Sequence, residues 1–220
     1  TQVFIDNGEL VYIGSVTADA NKRAFDLFGS AQDKPAILSI RSKGGVTDAG
    51  IELGRWVHAR GLTVKVMEYC FSSCANYVFP AAPRKVVSNF AVVGYHGGLS
   101  SATFRLEDKD EAMLKSLPED QRAALRAKLE EAVRQMVAGQ AEEERGFFTQ
   151  IGVQQRLTTL GQQPEFAHLQ SAKSVGWTYS VADFDKLGVG NIRVVNPPWK
   201  PAFVNTDAAV ILIDVPSPPK

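Results

Sequence analysis

The chain has 220 residues, 45% of them hydrophobic, and its 24 Lys and Arg are matched by 24 Asp and Glu. That length suits one α/β domain with an appendage and excludes two full-sized enzymatic domains, and the charge balance offers neither a basic face for nucleic acid nor an acidic tail. The longest apolar runs, Ala208–Val215 and Phe90–Tyr95, fall far short of the roughly 18 residues of a membrane span.

Short apolar runs alternate with helical patterns along the N-terminal half, the signature of β-α units around a mostly parallel sheet. Val11–Ile13 reads as a strand, and Thr17-Ala18-Asp19-Ala20 opens an amphipathic helix with Ala24, Phe25, Leu27 and Phe28 on its apolar side. A strand over Ala36–Ile40 follows Pro35, and a helix from about Asp48 to Ala59 stops at Gly61. Leu62–Met67 is a third strand, Cys74–Pro80 a helix and Phe90–Tyr95 a fourth strand that ends at His96. From Leu106 to Arg145, Leu114, Leu117, Leu125, Leu129, Val133, Met136 and Val137 recur at helical spacing, which predicts a long amphipathic helix broken near Pro118. Ser180-Val181-Ala182-Asp183 has capping-box form with Asp in place of Glu, and opens a short helix. A last strand, Ala208–Val215, lies between Pro197-Pro198 and Pro216–Pro219, so the end is expected to be extended and loosely held. The expected organisation is an α/β core over 1–105 and 146–195, a helical arm over 106–145 and a Pro-rich tail over 196–220 with one strand.

Three features fall at the C-terminal ends of neighbouring predicted strands, the edge where open α/β sheets place ligands. Lys43-Gly44-Gly45 follows one strand, Cys70-Phe71-Ser72-Ser73-Cys74 another and His96-Gly97-Gly98 a third. They supply a hydroxyl, an imidazole and backbone N–H groups, the parts of an acyl-transfer site. Ser73 stands where a strand pattern hands over to a helix pattern, so its N–H and that of Cys74 suit a developing oxyanion; position alone favours a plain N-cap for Ser73, and the coincidence of the three features shifts the balance. Cys70 and Cys74 either close a small disulfide or are two buried thiols. A zinc site is not expected, because His58, His96 and His168 are dispersed and there is no second cysteine pair. No cofactor signature is present. A start at Thr1 without Met suggests a removed leader and hence export.

The run Ser42–Gly50, then Ser73-Cys74-Ala75-Asn76-Tyr77-Val78-Phe79, then His96 and a long helix, resembles the Clp protease proteolytic subunit and the wider crotonase-like superfamily. More narrowly it is similar to bacterial periplasmic proteins related to that subunit, in which paired cysteines bracket the serine. The resemblance covers residues 9–190, with its specific motifs in 42–50, 70–82 and 94–98. It implies a spiral of β-β-α units with a helical handle at 106–145 for self-association, a periplasmic or secreted location and a peptide or protein substrate. By motif match Ser73 is the nucleophile, His96 the general base, and the N–H groups of Gly45 and Cys74 the oxyanion hole. Two departures stand out. Lys43 replaces a small residue, and 155–172, where the third member of the triad belongs, holds no Asp and only one carboxylate, Glu165. Serine peptidase activity through an acyl-enzyme is therefore the expected function. A catalytically inactive peptide- or protein-binding module is the alternative, and acyl-CoA chemistry is a third, less favoured reading.

Overall fold

A computed structural model describes residues 1–101, 108–204 and 206–216. The chain opens with a hairpin, β1 (Gln2–Asp6) and β2 (Glu9–Ile13), turned by Asn7-Gly8 at φ 48° and 76°. Helix α1 (Ala18–Ser30), capped by the Thr17 side chain on Ala20 N–H, leads to β3 (Ile37–Arg41) and α2 (Thr47–Arg60). Then come β4 (Thr63–Val66), β5 (Tyr69–Phe71), a π-helical turn (Cys74–Val78) that runs into α3 (Phe79–Ala81), β6 (Arg84–Ser88) and β7 (Val92–Gly94). Two helices follow, α4 (Asp108–Lys115) and α5 (Glu119–Ile151), before β8 (Ser174–Thr178), α6 (Val181–Lys186), β9 (Ile192–Val195) and β10 (Ala209–Leu212).

The result is a mixed α/β fold. Six strands make one sheet in the order β1-β2-β3-β4-β6-β9, antiparallel at the β1–β2 edge and parallel elsewhere. The chain leaves this sheet and pairs a second time a few residues later. Val16 bridges Gly45, Ser42 bridges Cys70, β5 pairs β7, Tyr95 bridges Trp177, and β8 pairs β10. These short pairings form a shelf across the C-terminal ends of the main strands.

Parallel strands covered on both faces read as continuous apolar runs. Here β2 and β3 alternate, because only one face is fully covered. Leu10, Tyr12, Leu38, Ile40, Val64 and Val66 are buried beneath the helices. On the opposite face Lys65 Nζ pairs with Glu9 Oε1 at 2.8 Å, and Ser39 Oγ donates to the same carboxylate. Phe25 and Phe28 pack on Trp56 at ring distances of 4.8 and 5.1 Å and join α1 to α2.

The break expected near Pro118 separates α4 from α5, which Arg126 ties together by hydrogen bonds to both oxygens of Glu111, at 2.9 and 2.7 Å. Residues 106 and 107 of the expected arm lie outside the described residues. Among the described side chains of α5, none from 119 to 143 is fully buried, whereas Glu144, Phe147 and Phe148 are, so the helix is anchored by its C-terminal end.

The C-terminal segment differs from the expectation of a loosely held end. Trp199 Nε1 donates to Ala91 O at 2.7 Å, Ala202 N to Phe90 O at 3.0 Å, and Ile213 and Val215 are buried. The prolines end helices without preventing docking, since Trp199, Ile213 and Val215 supply apolar surface to bury. Residues 217–220 lie outside the described residues. Asp183 clasps this segment. Its carboxylate accepts from Ser180 Oγ at 2.6 Å, Lys186 Nζ at 2.7 Å and Val215 N–H at 3.1 Å. Burial pushes the Asp183 pKa up, but the hydrogen bonds from Lys186, Ser180 and Val215 outweigh it and hold the carboxyl below its ordinary value. The stabilisation is therefore full above the ordinary carboxylate pKa of about 4 and fades as the pH falls below it. Asp183→Asn is expected to cost about 2–3 kcal/mol at pH 7 in urea denaturation, with the gap to wild type closing below about pH 4.

Candidate active site

Strand β5 delivers the chain to Ser72, whose φ of 56° is in the left-handed region that side chains rarely adopt. The surroundings hold it there. Ser72 N–H donates to Gly94 O at 3.0 Å, Asn76 N–H donates to Ser72 O at 2.7 Å, and the Cys70–Cys74 disulfide spans the turn with its Cα atoms 5.3 Å apart. A sharp, over-determined strand-to-helix turn of this kind lifts a side chain out of the backbone and presents it to a cleft.

His96 Nε2 lies 2.8 Å from Ser72 Oγ. The motif had set Ser73 against His96; the structure brings Ser72 there instead. Ser73 is 3% exposed, and its Oγ has no hydrogen-bond partner among the described residues. The reason for the one-residue shift is the backbone. Ser72 takes the strained turn position, and Ser73, already helical at φ −56°, points its Cβ toward Gly50 of α2.

The ring of His96 is held from two sides. Tyr95 and Trp177 exchange backbone hydrogen bonds of 2.8 Å, which fixes the main chain, and Phe71 stacks on the imidazole at 5.4 Å with 15° between planes. Phe71 in turn packs on Phe203 of the C-terminal segment at 6.3 Å. The Nδ1–H tautomer of His96 is the one that lets Nε2 accept from Ser72 Oγ. Among the described residues no carboxylate bonds to His96. Glu165, the expected third member, is exposed on a 3-10 turn, lines neither cavity beside the imidazole, and only its backbone oxygen is engaged, by His168 Nδ1 at 2.8 Å.

Gly44 lies against the serine turn. A Cβ there would be 2.6 Å from Ser72 Cβ and 2.9 Å from Ser73 N, at a φ of 96° that already favours glycine. Its N–H is spent on Ser42 Oγ at 3.0 Å. The N–H groups of Gly45 and Ser73 donate to nothing among the described residues. Cys74 N–H, expected in the oxyanion hole, stands one residue beyond that frame, as Ser73 does for the nucleophile. Lys43 is exposed.

A buried brace that sequence reasoning missed supports the far wall. Glu144 is fully buried; it accepts from Tyr77 O–H at 2.7 Å, Leu99 N–H at 3.3 Å and Gln155 Nε2 at 2.6 Å. Burial and the neighbouring Glu144 push the Tyr77 phenol far above its ordinary pKa, so it remains a donor. Asn76 Nδ2 donates to Gly97 O at 2.9 Å and completes the support of the 97–99 loop. These groups surround a cleft of about 360 Å³ that has Ser72 and His96 on its wall. Behind the imidazole a second cavity of about 290 Å³ is lined by Gln162, Gln170, Ser174 and Trp177. Among the described residues no cluster of His, Cys, Asp and Glu suits a metal ion, and no helix is long and apolar enough to cross a membrane.

No protein-family profile matches the chain, and no curated protein matches it. Among solved structures, a variant of the 1510-N membrane-bound stomatin-specific protease is similar over 94% of this chain and 98% of its own, with 12% identity and a TM-score of 0.36, a remote likeness of shape.

Proposed function

We propose that this protein is a serine hydrolase acting on peptides, with Ser72 as nucleophile and His96 as general base. The 2.8 Å approach of His96 Nε2 to the Oγ of a serine held at positive φ is the observation that carries this reading. In the proposed reaction Ser72 Oγ attacks the scissile carbonyl while its proton passes to Nε2. The N–H groups of Gly45 and Ser73 receive the oxyanion, the leaving amine takes the proton back from His96, and water hydrolyses the acyl-enzyme by the same steps in reverse order. Phe71 stacking and the Tyr95–Trp177 bridge take over part of the orienting task that a carboxylate usually performs on the imidazole.

The successive pairings from β3 through β7 support membership of the crotonase-like folds, and the order of motifs supports a relation to the Clp proteolytic subunit. On that reading the arm formed by α4 and α5 meets a second copy through the half-buried Leu125, Leu129, Val133 and Val137. The disulfide favours an oxidising compartment such as the periplasm.

The reading is tested by intact-mass detection of a fluorophosphonate adduct. One adduct is expected on the wild type at pH 7–8 and none on His96→Ala at matched folding by circular dichroism. A folded wild type that stays unlabelled would leave the cleft as a peptide-binding groove.

A further inference from the structure

Acyl-transfer enzymes select substrates by what lines the cleft beside the nucleophile, and a cleft built to hydrogen-bond a polar group rejects the analogue that lacks it. Beside Ser72, Ser73 and His96 the lining here is formed by Thr47, Asn76, Tyr77, Leu99, Ser101 and Gln162, together with Gly97 and Gly98. Among the described residues, Leu99 is the only aliphatic side chain in that wall. Among the described residues, no Lys, Arg, Asp or Glu side chain lines it. A deep apolar cleft for leucine or phenylalanine would need the opposite composition.

The polar groups also differ in how far they are committed. Ser101 Oγ is bound to Gly98 on both sides, accepting from its N–H at 3.3 Å and donating to its O at 3.1 Å. Tyr77 O–H is taken by Glu144. Thr47 Oγ1, by contrast, makes no hydrogen bond among the described residues, and Gln162 makes one long contact, Nε2 to His96 O at 3.4 Å, which leaves its Oε1 open. Asn76 Oδ1 is buried without a partner while its Nδ2 holds Gly97. Acceptors and donors thus stand unused on one wall of the cleft, and among the described residues no fixed charge lines it to answer a charged guest.

Building on Ser72 as nucleophile, we infer that the acyl side of the substrate carries a short, uncharged, hydrogen-bonding side chain, of the kind found in Thr, Ser, Asn and Gln, and that Thr47 and Gln162 are the residues that select it. A leucyl side chain would bury Thr47 Oγ1 and Gln162 Oε1 without partners. A lysyl or glutamyl chain would lose hydration with no counter-ion in return.

The test uses N-acetyl amino-acid thiobenzyl esters of Gln, Thr, Leu, Phe, Lys and Glu, small activated substrates that need only the nucleophile and this cleft, run beside fluorophosphonate labelling of the same protein. The Gln and Thr esters are expected to exceed the others in kcat/KM by about 10-fold or more. Thr47→Val, which removes one hydroxyl at constant shape, is expected to lower the Thr-to-Leu ratio of kcat/KM several-fold, and Gln162→Met the Gln-to-Leu ratio, with melting temperatures near wild type. Protein that the fluorophosphonate labels but that favours Leu or Phe, treats all six esters alike or turns over none of them would overturn this inference and leave the hydrolase reading standing. Unlabelled, folded protein would overturn both.

Discussion

Ser72→Ala is expected to abolish fluorophosphonate labelling and to cut peptide or ester hydrolysis by about 1,000-fold or more, while Ser73→Ala remains labelled. The pair separates two residues that sequence alone leaves equivalent. Alanine keeps the Cβ of Ser72 and therefore the same backbone strain at φ 56°, so the first variant loses the Oγ that sits 2.8 Å from His96 and little else. Alanine at 73 keeps the backbone N–H assigned to the oxyanion and removes a buried hydroxyl with no partner. Its stability should equal that of wild type or exceed it by up to about 1 kcal/mol, because an unsatisfied buried hydroxyl opposes folding. Labelling that survives Ser72→Ala and disappears in Ser73→Ala would return the nucleophile to position 73.

The second large effect is expected far from the nucleophile in sequence. Glu144→Leu should cost about 3–5 kcal/mol in urea denaturation, since it removes the fully buried carboxylate that the Tyr77 hydroxyl, the Leu99 N–H and the Gln155 amide share. Glu144→Gln should fold with a smaller loss, because one amide oxygen still accepts from Tyr77 and Leu99 while its NH₂ group faces the Gln155 donor. In that milder variant the 97–99 loop loses part of its anchor, and kcat/KM should fall about 10- to 100-fold from misplacement of the cleft wall. Wild-type stability in Glu144→Leu would show that the three donors find other partners and that the brace is dispensable.

Much of the α/β core could be read from the chain, because Pro35, Gly61 and the capping residues Thr17 and Ser180 punctuate apolar runs of clear period. Five strands escaped, β1, β5, β6, β8 and β9, and for β1 and β6 the reason is identifiable. The β1–β2 hairpin depends on Asn7-Gly8, a pair suited to a two-residue turn, but the first strand is a mostly exposed edge without a core-facing pattern. Strand β6 carries Lys85, which reads as surface, yet is 4% exposed with Nζ donating to Ala82 O at 2.6 Å and Gly190 O at 3.1 Å; burial lowers its pKa to about 8.

At the site, the residue types and their order were visible, as was His96 as the imidazole. What sequence could not give is which of two adjacent serines turns outward, since that rests on one φ value set by Gly94, Asn76 and the disulfide. Glu144 was hidden for another reason. It belongs to the charged run Glu142-Glu143-Glu144-Arg145, and only the end of α5 packing onto the core distinguishes it from its exposed neighbours. The C-terminal docking was masked by prolines, whose effect on helices is strong and whose effect on side-chain packing is slight.

The contact between Phe203 and Phe71 sets when the Ser72–His96 pair acquires its support. Phe203 follows His96 by 107 positions, so at about 5–20 residues per second the ribosome delivers it roughly 5–20 s after the imidazole. Through that interval Ser72 and His96 exist without the aromatic stack complete behind them, and β8 has no β10 beside it. The support behind the Ser72–His96 pair is therefore completed only when the C-terminal segment docks.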